Sequence, residues 1–325
     1  MLLSFFKNNN PISYILLPIL AIVCWLPTFF YSSAYTDVGM PFYNALLNWL
    51  GGTSILSTIV ALIIIIIEAF LINFIVNANE ILTKQSFLPG FFYVLLMSCD
   101  SSFLSLTPIL LANFFVLLAV HQLVSSYRKD TAFSNAFDAG LLLSLATLFY
   151  FPCVVFFPLA YIGFLLFRPF VWREWLIAFI GFVVPYTFVF VYYFWNDMLS
   201  HFWSVKLFYP HPKRAVVATS GGYYFMISVC LFILALSLGK LLMGYTEGTQ
   251  KNKKGVTLLL WLSVFTLLSL FLSPLITIKS FSLLSIPAAV FVANYFLKLK
   301  RNTWGEFLVI LFLIAIFVNH FSDLV

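Results

Sequence analysis

Long apolar runs are the feature that most constrains this sequence. A helix needs about 20 apolar residues to cross a bilayer, and the clearest runs near that length are Ile12–Tyr31, Thr53–Val76, Ile109–Tyr127, Trp175–Trp195, Tyr223–Met243, Val256–Leu272, Leu283–Leu297 and Glu306–His320. Only 9% of the residues are charged, against roughly 25% in soluble domains. Such a chain cannot cover a water-facing surface, which excludes a soluble enzyme and a nucleic-acid-binding protein.

Two further apolar stretches are too broken or too long to be one ordinary span each. Phe91–Met97 is predicted to be a short helix that ends at a polar turn. Ala139–Phe167 contains Pro152 and Pro158, and because proline interrupts helical hydrogen bonding, we predict a hairpin of two short spans. The total is then about eleven spans. The predicted fold is an all-α polytopic integral membrane helical bundle, with residues 1–325 forming a single transmembrane domain and no soluble domain.

The 17 lysines and arginines divide unequally between the two sides of these spans. If the N-terminus is cytoplasmic, most of them face the cytoplasm, namely Lys7, Lys84, Arg128, Lys129, Arg168, Arg173, Lys240, Lys251, Lys253, Lys254, Lys298, Lys300 and Arg301. Four face outward, namely Lys206, Lys213, Arg214 and Lys279. Basic residues gather in cytoplasmic loops of membrane proteins, so we predict a cytoplasmic N-terminus. The net charge of +6 then reflects topology, and no nucleic-acid partner is expected.

The acidic residues are few enough to be considered one by one. Several lie at predicted cytoplasmic helix ends and are interpreted as solvated caps and ion pairs, namely Glu80, Asp130, Asp138, Glu174, Glu247 and Glu306. Of these, Asp138 and Glu306 are predicted to open helices, where the helix dipole stabilises a carboxylate. Glu68 lies well inside the second span, where an acid normally faces the bundle interior. A hydrogen bond to a neighbouring helix and a proton-relay or ligand role both remain open for it.

The outward-facing polar residues form the predicted site. The acids are Asp37, in the first outer loop, and Asp100, in the next outer turn; the other members are Lys206, His211, Lys213, Arg214 and Lys279. A carboxylate can act as a general base, and cations can take up phosphate charge. Together these residues would suit a phosphorylated, lipid-linked ligand. The alternative is that outer loops are polar simply because they face water.

The order of these features resembles the GT-C class of integral-membrane glycosyltransferases, which use polyprenyl-phosphate sugars as donors. Asp37 matches the acid of the first outer loop, and Asp100 matches a second acid after a short third span. The other matching features are the basic helix end Arg128-Lys129, the small-residue hairpin at 139–148, the basic turn at 168–173 and Lys279 before a helix with Pro287. As architecture, the resemblance covers most of residues 11–297.

The resemblance implies a glycosyltransferase at the outer face of the bacterial inner (cytoplasmic) membrane. In this role Asp37 would activate the acceptor hydroxyl, and Asp100 would position the acceptor or a divalent cation. Lys206, Lys213, Arg214 and Lys279 would bind the lipid phosphate. Two departures from the class are that Asp37 stands alone in its loop and that the chain has no long outer loops.

Two other functions remain open. One is a non-catalytic integral subunit or scaffold of a membrane complex, because the 40 Phe, 16 Tyr and 8 Trp exceed what interfacial belts need. The chain also resembles a family of Phe-rich bacterial polytopic membrane proteins with no assigned activity. The other function is a transporter, which rests on Glu68 alone.

The cysteines and histidines predict no metal site. The cysteines, Cys24, Cys99, Cys153 and Cys230, occur singly with no CxxC spacing, so neither a zinc site nor a redox pair is expected. The histidines, His121, His201, His211 and His320, lie in separate segments and show no i, i+4 pairing. A shared iron of the four-histidine kind is therefore not expected.

Overall fold

The computed structural model describes residues 2–7, 10–30, 40–52, 54–197, 221–243, 248–273, 278–299 and 302–322. These residues form α-helices and short 3₁₀ segments, with no strand among them. The helices are α1 (Leu2–Lys7), α2 (Ile12–Phe30), α3 (Pro41–Trp49), α4 (Ile55–Ala78), α5 (Leu88–Met97), α6 (Pro108–Ser125), α7 (Phe133–Phe149), α8 (Phe157–Phe167), α9 (Trp172–Trp195), α10 (Gly221–Met243), α11 (Gln250–Leu272), α12 (Ser285–Leu297) and α13 (Asn302–Ser322). The 3₁₀ segments are Ser101–Phe103, Phe151–Phe156 and Ile278–Leu284.

Seven helical segments within the described ranges are long and apolar enough to cross a membrane, and they lie in predicted spans. They contain α4, α6, α9, α10, α11, α12 and α13. Shorter apolar helices occupy the other predicted spans at Ile12–Leu26, Leu88–Met97, Phe133–Phe149 and Phe151–Phe167. The all-helical class is confirmed, and the seven long apolar helices support a multi-pass membrane protein, whereas the count of eleven spans and the cytoplasmic N-terminus stay predictions.

Several local predictions need correction. Asp138 and Glu306 do not open helices, because α7 begins at Phe133 and α13 at Asn302, so both acids lie beyond the first turn. The short amphipathic helix α3 was not predicted, because its nine residues do not form an apolar run long enough to be recognised as a span. The predicted break of the hairpin at Pro152 is confirmed, since this proline lies in the 3₁₀ segment between α7 and α8.

The centre of the bundle consists of two short helices, α5 and α12. Every residue of both helices is buried, and the two helices pack against each other. Helix α4 packs along α5, and α10 packs along α12. A helix that is apolar on all sides is stable only when it is enclosed, so the sequence of these two helices requires the surrounding ring of longer helices.

Contacts between connecting segments define one end of the bundle, which we refer to as the basic end. The Asn252 side chain donates a hydrogen bond to the Ile81 carbonyl, and the Phe87 N–H donates to the Phe6 carbonyl at 2.9 Å. Arg168 donates to the carbonyl of Lys129 at 2.6 Å. The described lysines and arginines other than Lys279 lie at or near the helix ends that meet here. The predicted separation of basic residues is therefore present among the described helices.

A buried ion pair lies at the basic end. The Arg168 Nη2 atom lies 3.0 Å from Glu174 Oε1, with both side chains almost fully buried. Glu174 also accepts a hydrogen bond from the Ala132 N–H at 3.2 Å. The predicted ion pairing of Glu174 is confirmed, but its predicted solvation is wrong, because the connection after α6 covers it.

The other end of the bundle, which we refer to as the opposite end, is held by a different set of contacts. The Tyr43 hydroxyl of α3 donates to the Leu106 carbonyl at 2.8 Å. The Tyr150 hydroxyl donates to Ser273 Oγ at 3.0 Å. Among the described lysines and arginines, only Lys279 lies at this end. The opposite end is thus polar but almost free of basic residues in the parts that the structure describes.

Candidate functional site

The predicted site residues fall into two groups. Asp37, Lys206, His211, Lys213 and Arg214 lie outside the described residues. Asp100, Lys279 and the intramembrane Glu68 are described. The described helices on either side of segments 31–39 and 198–220 end or begin at the opposite end of the bundle, where Asp100 and Lys279 also lie.

Asp100 lies in the polar turn that follows α5. Its Oδ1 atom accepts a hydrogen bond from the Ser102 N–H at 2.9 Å and so caps the 3₁₀ segment Ser101–Phe103. The residue is only 5% exposed. An acidic cap is favourable here because the first N–H groups of a helical turn have no partner within the turn. Asp100 therefore has a structural role whatever other role it has.

Lys279 lies in the 3₁₀ segment Ile278–Leu284, which precedes α12. This segment packs against the Asp100-capped segment Ser101–Phe103, although the two are far apart in the sequence. Lys279 is only 8% exposed. The structure therefore places the segments of one predicted acid and one predicted cation side by side.

Other polar groups surround this junction. Ser280 lies next to Lys279, and its Oγ atom lies 3.3 Å from Ser273 Oγ at the end of α11. Tyr223, in the first turn of α10, lies close enough to interact electrostatically with the Asp100 carboxylate. We define the opposite-end site as Asp100, Tyr223, Ser273, Lys279 and Ser280. Tyr223, Ser273 and Ser280 were not predicted, because an isolated tyrosine or serine at a span boundary has no distinctive sequence signal.

The last turns of α13 hold the Asp100 turn in place. The Asn319 Nδ2 atom donates to the Cys99 carbonyl at 3.1 Å, and His320 Nε2 lies 3.0 Å from the Ser98 carbonyl. Both side chains are buried. Two carbonyls that a short turn leaves without helical partners are thereby satisfied.

Replacing Asn319 with leucine is expected to loosen this turn. The loss of one buried hydrogen bond costs about 0.5–1.5 kcal/mol, so local opening should become several times more frequent. Hydrogen–deuterium exchange of residues 98–103, measured by mass spectrometry in detergent, should accelerate in Asn319→Leu. The matched control is Ile314→Ala, which alters an exposed side chain of the same helix and should leave this exchange unchanged. Equal exchange in Asn319→Leu and the wild type would show that α13 does not hold the turn.

Glu68 lies in the membrane interior, away from the opposite-end site. It is fully buried, and its Oε2 atom accepts a hydrogen bond from the Tyr93 hydroxyl of α5 at 2.7 Å. One of the two interpretations left open for Glu68, a hydrogen bond to a neighbouring helix, is therefore observed. Its Oε1 atom has no hydrogen-bond partner in the described part of the chain.

The described residues hold no cluster of three or more His, Cys, Asp or Glu side chains that would bind a metal ion. His121 packs its ring against Phe74, with centroids 5.4 Å apart, and His320 is engaged at the Asp100 turn. The thiols of Cys99 and Cys230 approach each other, which the sequence did not indicate. A divalent cation at Asp100 stays a prediction.

Comparison with known proteins identifies one family. No curated protein matches the chain, and no solved structure matches it. A family model described as "Family of unknown function (DUF6427)" matches residues 38–325, a range that contains the whole opposite-end site and begins one residue after Asp37. The match covers most of the chain, and the protein therefore belongs to the DUF6427 family.

Proposed function

We propose that this protein is a membrane glycosyltransferase-like protein that uses a lipid-phosphate-linked sugar at the outer face of the bacterial inner membrane. The observation that carries the proposal is the packing of the Asp100 turn against the Lys279 segment. The segments that carry an acid and a cation, from distant parts of the chain, pack together at one end of the bundle, away from the other described basic residues. A lipid-linked phosphate reaches such an end directly from the bilayer.

The proposed roles follow from the chemistry of each group. Lys279 takes up charge of the donor phosphate, which a positioned cation stabilises. Asp100 positions the acceptor or a divalent cation, and the Tyr223 hydroxyl is a further hydrogen-bonding group for the same ligand. Asp37 acts as the general base. Lys206, His211, Lys213 and Arg214 complete the phosphate site.

A non-catalytic subunit of a membrane complex is the second candidate, and one observation favours it. Asp100 and Lys279 are 5% and 8% exposed, and the Asp100 carboxylate is already engaged with the Ser102 N–H. Such groups would fit a protein that keeps the glycosyltransferase-like fold without the activity, and whose polar end only stabilises that fold. This candidate predicts a stoichiometric membrane partner and no affinity for lipid phosphate.

Binding of a polyprenyl phosphate in lipid nanodiscs separates the two candidates. The proposal predicts that Lys279→Gln raises the Kd about tenfold or more, because a hydrogen bond to a charged group contributes about 1.5–3 kcal/mol. The matched control is Lys298→Gln, which removes a half-buried lysine that follows α12 at the basic end and should leave the Kd unchanged. Equal binding by the wild type and Lys279→Gln, together with a co-purified membrane subunit, would contradict the proposal.

A second measurement addresses the chemistry. In Asp100→Asn the cap acceptor atom is retained while the charge is lost, so the turn should remain folded. Sugar transfer from a polyprenyl-phosphate donor is expected to fall by about 10²-fold, because the neutral amide no longer positions the acceptor or the cation, with binding of the donor retained. Unchanged transfer in Asp100→Asn would remove Asp100 from the reaction.

A further inference from the structure

A row of polar side chains, buried except for the half-buried Asn77, runs along α5 and the segment that precedes it. Starting from the basic end, Asn77 and Ser86 exchange hydrogen bonds at 3.1 and 3.2 Å. Asn73 then accepts from the Gly90 N–H at 2.8 Å, and Glu68 accepts from Tyr93. The side chains concerned are those of Asn77, Ser86, Asn73, Glu68 and Tyr93, and those on α4 each hydrogen-bond to α5 or to the segment that precedes it. We refer to them, with Asn113, as the polar row.

The polar row continues toward the opposite end through Asn113. The side chains of Asn113 and Ser285 approach the Tyr93 hydroxyl, and Asn113 Nδ2 donates to the Ser282 carbonyl at 3.4 Å. Ser282 belongs to the 3₁₀ segment that contains Lys279. Glu68, Tyr93, Asn113 and the Ser282 segment therefore follow one another from the interior of the bundle toward the opposite end.

Four buried atoms of the polar row have no hydrogen-bond partner among the residues that the structure describes. They are Glu68 Oε1, Asn73 Nδ2, Ser86 Oγ and Asn113 Oδ1. A buried polar atom without a partner costs about 1–3 kcal/mol, and in native proteins ordered water commonly supplies the missing bond. Four such atoms along one row point to a series of polar sites that water fills.

The charge state of Glu68 follows from its surroundings. The titratable side chains on the helices packed against α4 are Tyr14 and Cys24 on α2, Tyr93 and, on α6, His121. None of the described cationic groups forms an ion pair with Glu68. An isolated charge in the membrane interior is strongly unfavourable, so the neutral acid is the stable form, and its O–H group needs an acceptor.

We propose that Glu68 is a hydrated proton-binding site that exchanges its proton with the opposite end of the bundle. The ligands are a proton, carried on the carboxyl group, and water bound between Glu68, Tyr93 and Asn113. In the exchange, an O–H bond of Glu68 breaks as water accepts the proton, and a proton from the opposite end forms a new O–H bond on Glu68. This proposal is independent of the proposed glycosyltransferase function.

Infrared difference spectroscopy of the protein in nanodiscs tests the proposal. The wild type should show the C=O stretching band of a protonated carboxylic acid, which shifts soon after transfer to D₂O and is absent in Glu68→Gln. Asn113→Leu should retain the band but slow its shift by about tenfold, because one polar member of the row is lost. The matched control is Thr266→Val, which removes a buried hydroxyl of α11 outside the polar row and should leave the rate unchanged.

Three outcomes would overturn the proposal. The first is the absence of a protonated-acid band that depends on Glu68. The second is a band that exchanges as slowly as the amide hydrogens of the buried helix α5, which would show a dry hydrogen bond. The third is an exchange rate that Asn113→Leu leaves unchanged while elution from size exclusion and helical circular dichroism show that the variant is folded.

Discussion

Replacing Arg168 with methionine is expected to lower the free energy of unfolding by about 3–5 kcal/mol, the cost of breaking a buried ion pair by removing one partner. Arg168 lies 3.0 Å from Glu174, and both side chains are almost fully buried. It also donates hydrogen bonds to the carbonyls of Lys129 and Asp130 at 2.6 and 3.1 Å. Without Arg168, the Glu174 carboxylate would be left buried and uncompensated.

Thermal or chemical unfolding in detergent measures this effect. The double variant Arg168→Met/Glu174→Gln should lose less stability than the sum of the two single variants, because it leaves no unpaired charge. Arg173→Met is the matched control, since Arg173 is exposed and interacts only with the ring of Trp172 at 5.8 Å. That control should change stability by less than about 1 kcal/mol. A loss in Arg168→Met no larger than in the control would show that the pair does not stabilise the fold.

Alanine at Gly140 or Gly181 is expected to destabilise the contact between α7 and α9. A Cβ atom at Gly140 would lie 2.9 Å from the carbonyl carbon of Ala178 and closer still to its oxygen. One at Gly181 would lie 3.1 Å from the carbonyl carbon of Phe137, with the oxygen again closer. Each glycine thus lies against the backbone of the other helix. A backbone carbonyl cannot change rotamer to relieve a clash, as a side chain can. Overpacking of this kind costs about 1–3 kcal/mol per site.

The control for the two glycines is Gly239→Ala in α10. No atom of the described residues lies within 4 Å of a Cβ atom at Gly239, so alanine there should be neutral or stabilise by up to about 1 kcal/mol through its higher helix propensity. The unfolding temperature in detergent should fall for Gly140→Ala and Gly181→Ala but not for Gly239→Ala. A uniform response of the three variants would contradict the close helix contact.

The fold was predictable where it depends on local composition. The apolar runs gave the positions of the long helices because a bilayer accepts few other sequences, and Pro152 gave the break between α7 and α8. What could not be predicted depends on pairing between distant segments. Gly140 and Gly181 are single glycines in separate spans, so the sequence does not show that they face each other's helices. Glu174 has the sequence position of a solvated helix-end acid, and it is buried only because the connection after α6 covers it.

The candidate site shows the same division. Charge counting predicted that Asp100 and Lys279 share one side of the membrane. It could not predict that their segments pack together, because this contact depends on how the two buried helices, α5 and α12, lie side by side. The support from Asn319 and His320 was missed for the same reason, since both residues follow an ordinary apolar run.

The central claim is that the opposite end of the bundle holds a lipid-linked phosphate. Single-particle electron microscopy of the protein in nanodiscs, with a polyprenyl phosphate added, tests it most directly. We expect lipid-shaped density that enters from the bilayer and places its phosphate beside Lys279 and Asp100, and that is absent from a matched map of Lys279→Gln. A wild-type map with no lipid density at this end, or with the phosphate bound at the basic end, would contradict the claim.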